Sequence, residues 1–140
     1  MSRDVWAGIA ATLAVVVAAI LGFRVLGGPA NQRLVQADLR KLNTLSQLAQ
    51  QINQRWVTDG KTLPVNLEKL PSSVKQDPVS GAPFVYHAKS SEDYELCATF
   101  ASDNRDAPPV NNENSWTHPK GEHCFQFQAS GQVPWVPYGY

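Results

Sequence analysis

The chain has 140 residues, of which 43% are hydrophobic and 17% charged, and its twelve basic and twelve acidic side chains cancel to a formal charge of zero. This length corresponds to a single domain. Residues 30–140 hold ten basic and eleven acidic groups, with no basic patch or run that could neutralise phosphates. We therefore expect no nucleic-acid partner. A large enclosed cleft is not expected either, because the roughly 110 residues that follow an apolar N-terminal segment can bury only a modest core.

The N-terminal segment is an uncharged run of nineteen residues, VWAGIAATLAVVVAAILGF, at positions 5–23. A helix of that length spans about 28 Å, close to the hydrocarbon thickness of a bilayer, and Arg24 can reach the membrane interface. We predict a single transmembrane helix over residues 5–26, preceded by a short tail of four residues. The alternative is a signal peptide cleaved near Gly28 and Ala30, but its apolar region would exceed the usual length of about 7 to 15 residues.

A second, amphipathic helix is predicted over residues 30–58, with Pro29 suited to its first turn and Asp59-Gly60 as its stop signal. Its apolar side chains recur at steps of three and four, as on one face of a helix. We expect this stripe to pack on a sheet; a short coiled-coil seam is the alternative. The stripe comprises Leu39, Leu42, Leu45, Leu48, Ala49, Ile52 and Trp56, and the opposite face Arg40, Lys41, Gln47, Gln50, Gln51 and Gln54.

The next segment, residues 59–83, is predicted to be a tightly turning connection because prolines and leucines alternate in it, and its residues 77–81, DPVSG, have turn chemistry. An antiparallel sheet is expected over residues 84–128. Alternation along its strands places Cys97 and Cys124 on the polar face, opposite the aromatic residues that would cover the helix. The strand candidates are 84–88, 94–100 and 123–128.

Two cysteines on one face of neighbouring strands, in a chain whose membrane helix can carry them out of the cytoplasm, indicate a disulfide between Cys97 and Cys124. Closing that loop would contribute about 3 to 4 kcal/mol to stability by the chain-entropy model. The alternatives are two reduced, half-buried thiols and a zinc site. Zinc is considered because His118 and His123 lie near Cys124, although the spacing matches no zinc-finger pattern.

The polar loop 101–122 carries many oxygen ligands, so a calcium-dependent module is a further alternative, although the spacing of an EF-hand loop is missing. The rival function is therefore a small zinc- or calcium-dependent binding module or enzyme that uses the Cys97 to Cys124 loop. We favour a solvated loop and expect no cofactor. The candidate metal ligands are Asp103, Asp106, Glu113, His118 and His123.

The aromatic tail, residues 129–140, alternates proline with aromatic side chains. We expect it to fold back over the sheet, because exposed aromatic side chains are costly without a partner; the alternative is an extended recognition strip. The candidate interaction residues are Trp135, Tyr138 and Tyr140. No nucleophile elbow, phosphate loop or zinc-protease motif occurs in the sequence, so we expect no enzymatic activity and name no catalytic residue.

Several segments together resemble type IV pilin-like and type II secretion pseudopilin-like proteins. They are the apolar N-terminal helix, Ala37-Asp38-Leu39-Arg40, Gly60-Lys61-Thr62-Leu63-Pro64, the turn Asp77-Pro78-Val79-Ser80-Gly81-Ala82-Pro83-Phe84, and Tyr94-Glu95-Leu96-Cys97-Ala98. The chain departs from prepilins at the N-terminus, because Gly8 is followed by Ile9-Ala10-Ala11 instead of a prepilin cleavage motif, and no acidic residue lies between Asp4 and Asp38.

The resemblance implies an α+β fold, in which a long helix packs on a small antiparallel sheet, and a domain spanning residues 27–140 outside the inner membrane. The implied role is structural or protein-interacting, in secretion or pilus assembly, with a protein partner in the cell envelope. Four basic residues lie within residues 24–41, soon after the apolar segment, and only Arg3 precedes it. This distribution argues for a cytoplasmic domain. The four residues are Arg24, Arg33, Arg40 and Lys41. The cysteine pair and the resemblance favour the opposite, so we predict a single-pass inner-membrane protein with a periplasmic domain.

Overall fold

A computed structural model describes residues 3–26, 28–106 and 115–136. The chain divides into two compact units, Met1–Arg33 and Leu34–Tyr140. An apolar N-terminal helix, a long helix and a small antiparallel sheet give the α+β architecture that the sequence predicts. The elements in chain order are α1 (Arg3–Leu26), α2 (Pro29–Thr58), α3 (Ser72–Lys75), β1 (Val85–Ala88), β2 (Asp93–Phe100) and β3 (Gly121–Gln128).

Helix α1 is long and apolar enough to cross a membrane. Its window Val5–Gly22 has a mean hydropathy of 2.3, and none of that window is buried within the protein. Large apolar side chains such as Leu13 and Val15 are exposed along the helix. An exposed apolar surface of this extent is unfavourable in water.

Helix α2 begins one residue before the predicted start, at Pro29, and ends at the predicted residue, Thr58. At its start, the Asn31 N–H donates to the Gly28 carbonyl at 2.9 Å, and Pro29 occupies a position where no N–H is needed. At its end, the Lys61 N–H donates to the Trp56 carbonyl at 2.8 Å, closing the helix through Gly60 at φ 71°. A left-handed residue of this kind is the usual means of ending a helix, and glycine adopts it without steric cost.

The apolar stripe of α2 packs on the sheet, as predicted, and does not form a coiled-coil seam. Leu45, Leu48 and Ile52 are fully buried in one cluster with sheet residues that include Leu96. Polar atoms at the edges of this core are paired as well. The Tyr94 hydroxyl donates to Asn53 Oδ1 at 2.7 Å, and the Trp56 indole donates to the Ser91 carbonyl at 3.0 Å, which fixes the helix to the sheet at two points.

The sheet has three antiparallel strands in the order β1-β2-β3. Before it, the connection contains the single helical turn α3, and Gln76 and Pro83 form an isolated bridge beside β1. Cys97 of β2 lies directly opposite Cys124 of β3. The sheet therefore turns its aromatic face to α2 and its disulfide-bearing face outward.

The described part of the tail folds back over the core, as predicted. Val136 is buried, and the Trp116 indole donates to the Pro134 carbonyl at 3.1 Å. Trp116 itself packs edge-on against Phe125 of β3. The end of the polar loop and the tail thus close one side of the same hydrophobic core.

Candidate functional site

Among the described residues, two acidic side chains and one basic side chain are buried together where α2 meets the 77–81 turn. The Lys41 ammonium lies 3.2 Å from Asp77 Oδ2 and 3.9 Å from Asp38 Oδ1, and it donates to the Thr99 carbonyl at 2.7 Å. Lys41 is only 7% exposed, and both aspartates are as deeply buried. Buried charges of this kind are tolerated only when they are paired and hydrogen-bonded.

Asp38 holds the chain that leaves β2. Its carboxylate accepts hydrogen bonds from the Ala101 N–H at 3.0 Å, the Ser102 N–H at 2.7 Å and the Ser102 hydroxyl at 2.6 Å. Backbone N–H groups just past the end of a strand lose their ladder partners, and a carboxylate can satisfy several of them at once. Asp38 therefore fixes the point where the polar loop begins.

Asp77 organises the turn that precedes the sheet. It accepts hydrogen bonds from the Val79 N–H and the Ser80 hydroxyl, both at 2.8 Å, while Gly81 adopts φ 74°. Burial raises the pKa of Asp77, but the hydrogen bonds from Val79, Ser80 and Lys41 outweigh it and bring the pKa below its ordinary value. Asp77 is thus ionised at neutral pH and binds the Lys41 ammonium from the turn.

The expectation that Lys41 lies on the solvated face of α2 is wrong. The helix buries positions 38, 41, 45, 48 and 52, which follow steps of three and four, and the first two of these positions are charged. The charges lie within the stripe because the turn and the end of β2 bring polar partners to it. The sequence carries one indication of this burial. Continuing the stripe back from Leu45 by steps of four and three residues gives positions 41 and 38.

The outer face of the sheet carries the predicted disulfide between Cys97 and Cys124. Zinc binds thiolates, and neither sulfur of a disulfide is one. The Glu95 carboxylate lies within 4.8 Å of both sulfurs. Glu95 also forms an ion pair with Lys89 at 2.9 Å, so its charge is already compensated.

The other metal-ligand candidates are not assembled into one site in the described residues. Both oxygens of Asp103 accept hydrogen bonds from the Arg105 guanidinium, which lowers the pKa of Asp103 to about 2. Asp106 is exposed, and His123 packs edge-on against Phe125. Glu113 lies outside the described residues.

His118, one of the candidate metal ligands, lies in the core. Its ring is 1% exposed and stacks on Phe100 with a centroid separation of 3.9 Å. The backbone around it is clasped by Asn104, whose Oδ1 accepts from the His118 N–H at 2.7 Å and whose Nδ2 donates to the Trp116 carbonyl at 3.1 Å. This clasp joins the two ends of the polar loop.

Burial lowers the pKa of His118, although the Pro119 carbonyl and the charge of Asp38 act in the opposite direction. Unfolding exposes the imidazole, so the unfolded chain binds more protons than the folded chain as the pH falls below about 6.5. We therefore expect the free energy of unfolding to decrease between pH 7 and pH 5, and to decrease less in a His118→Gln variant. Chemical denaturation of the full chain in detergent at each pH measures this slope.

The matched control for this prediction is His87→Gln, because His87 is exposed on β1. Its pH slope should equal that of the wild type. If the His118→Gln variant also keeps the wild-type slope, burial of His118 does not govern the acid sensitivity of the fold.

Of the three candidate interaction residues, only Trp135 lies within the described residues, and just over half of its surface, 55%, is exposed. Tyr138 and Tyr140 lie outside that part of the chain. The exposed Trp135 ring follows directly on Pro134, which accepts the Trp116 hydrogen bond. The tail is therefore held to the core on one side and presents an aromatic ring on the other.

Scans against protein-family models, curated proteins and solved structures each found no match to this chain.

Proposed function

We propose that this chain is a membrane-anchored protein of the cell envelope whose residues 27–140 form a pilin-like or pseudopilin-like domain with a structural or protein-interaction role. In this proposal α1 is an uncleaved single-pass anchor in the inner membrane. The domain then lies in the periplasm and works through a protein partner in the envelope, in secretion or in pilus assembly.

The observation that carries the proposal is the combination of an exposed apolar helix with a small disulfide-linked α+β unit. An apolar helix of this length favours a bilayer, and a disulfide persists in an oxidising compartment. Two segments of the resemblance, one on α2 and one in the turn before the sheet, also have a clear structural use, because Asp38 and Asp77 both pair with Lys41. Through Lys41 they connect the long helix to the turn and to the Thr99 carbonyl of β2.

A non-enzymatic role is part of the proposal. Among the described residues, no buried side-chain nitrogen or oxygen lacks a hydrogen-bond partner. The buried acidic, basic and histidine side chains of the described residues all contact other elements of the fold; they are Asp38, Lys41, Asp77 and His118. A general acid or base needs a reactive atom that can reach a substrate, and these side chains have little exposed surface.

The membrane anchor is tested by alkaline carbonate extraction of membranes from cells that produce the full chain. We expect the protein to stay in the membrane pellet with an intact mass that includes residues 5–26. A matched variant without residues 5–26 should be released. If the unmodified gene instead yields a released protein whose mass shows that it begins near residue 30, the cleaved signal peptide is supported.

A further inference from the structure

A cleft of about 190 Å³ lies beside the disulfide, between the turn that begins at Asp77 and the outer face of the sheet. The turn contributes Ser80, Ala82 and Pro83 to its walls. The strands contribute Val85 of β1, Thr99 of β2 and Glu122 of β3, and Cys97 forms part of the floor. The cleft is thus built by the turn with the adjoining start of β1, by β2 and by β3.

The walls combine apolar and acidic groups. Val85 is 45% exposed, so the cleft offers accessible apolar surface. Its ten lining residues include two acidic side chains, Asp77 and Glu122, and no basic one. A side chain that fits such a surface has an aliphatic stem and a cationic head.

The acidic groups in and near the cleft outnumber the basic groups that pair with them. Asp77 shares the single Lys41 ammonium with Asp38, so that cluster has one negative charge in excess. Glu122 is exposed and forms no salt bridge to any described residue. The carboxylate of Asp77 stays ionised because hydrogen bonds from the turn and from Lys41 hold its pKa down.

We propose that this cleft binds an arginine side chain presented by a protein partner. The guanidinium pairs with Glu122 and is also attracted by the negative charge of Asp77, while the methylene groups contact Pro83 and Val85. Arginine suits the site because its planar head donates several hydrogen bonds and loses less hydration than an ammonium when it is partly buried. The inference deepens the interaction role proposed above and depends on it for the source of the partner.

The test is a nuclear magnetic resonance titration of the ¹⁵N-labelled full chain in detergent micelles with N-acetyl-arginine amide. We expect the shifts to concentrate on the amides of Ser80, Ala82, Val85 and Glu122, with a dissociation constant on the order of millimolar for so small a probe. The citrulline analogue, which has the same shape without the charge, should not move these amides.

Glu122→Gln should weaken binding of the arginine probe about two- to fivefold, as expected for the loss of one partly exposed ion pair. The matched control is Glu68→Gln, since Glu68 is exposed and does not line the cleft. Its affinity should equal that of the wild type.

Three results would overturn the proposal: equal shifts with citrulline, unchanged affinity in Glu122→Gln, or no shift of these amides at tens of millimolar probe. Movement of the same amides when the protein alone is concentrated would assign the cleft to a second copy of this chain, and would also overturn it. None of these results depends on where the domain lies in the cell, so failure here leaves the membrane-anchor proposal standing.

Discussion

Replacing Lys41 by methionine is expected to lower the free energy of unfolding by about 3 to 5 kcal/mol, because it leaves two buried carboxylates without their shared cation. The Lys41 ammonium lies 3.2 Å from Asp77 and also holds the Thr99 carbonyl at 2.7 Å, so three elements lose a common partner. A loss of this size is a large fraction of the stability of a small domain. Chemical denaturation of the full chain in detergent measures it.

The neighbouring Arg40→Met variant is the matched control, because Arg40 is exposed on the same helix. We expect its stability to stay within about 0.5 kcal/mol of the wild type. A second variant, Lys41→Met with Asp77→Asn, removes one of the uncompensated charges and should recover part of the loss. Equal stabilities of Lys41→Met and Arg40→Met would show that the buried cluster does not stabilise the fold.

Replacing both Cys97 and Cys124 by alanine is expected to lower the free energy of unfolding by about 2 to 4 kcal/mol. The bridge closes a loop with a sequence separation of 27 residues, and the chain-entropy model gives about 3.5 kcal/mol for that length. Alanine is preferred to serine at Cys97 because this side chain is buried and a hydroxyl there would need a partner. Thermal denaturation should show a midpoint lower by roughly 8 to 20 °C.

Wild-type protein unfolded in the presence of a thiol reductant provides an independent comparison, since it loses the same cross-link without a substitution. Its stability should approach that of the double alanine variant. Two titratable thiols in protein purified without reductant, together with unchanged stability in the double variant, would refute the bridge.

Most of the fold follows from local patterns in the sequence. The proline and glycine signals at residues 29 and 60 mark the ends of α2, and the alternation in β2 and β3 gives both the strand positions and the face that bears the cysteines. These signals work because helix ends and strand faces are decided by residues that are near one another in the chain. The disulfide follows from the same alternation, because it needs only the correct face and neighbouring strands.

The buried charges could not be placed in this way. Lys41 has ordinary surface chemistry in the sequence, and it is buried only because Asp77 and the Thr99 carbonyl, which are 36 and 58 residues away, converge on it. His118 is similar, since its stacking on Phe100 and its clasp by Asn104 depend on where the polar loop returns to the sheet. Contacts between distant segments decide both positions. The spacing of the apolar stripe does include positions 38 and 41, but nothing local in the sequence identifies the partners that bury the charges or His118.

The cleft beside the disulfide has the same origin. Glu122 and Ser80 are unremarkable polar residues of a strand and a turn, and only the pairing of β2 with β3 and the fold of the turn bring them around one opening. The sequence indicates the turn, the strands and the cysteines separately. The acidic surface that they form together is a property of the tertiary structure.

Cysteine labelling of intact cells directly tests the proposed location of the domain outside the cytoplasm. Val65 is 96% exposed, so a Val65→Cys variant should react with a membrane-impermeant maleimide in intact cells, while a Ser2→Cys variant should react only after lysis. The wild-type chain should not react in either case, because its two cysteines are joined. Labelling of Ser2→Cys in intact cells with protection of Val65→Cys would place the domain in the cytoplasm and contradict the proposed periplasmic location.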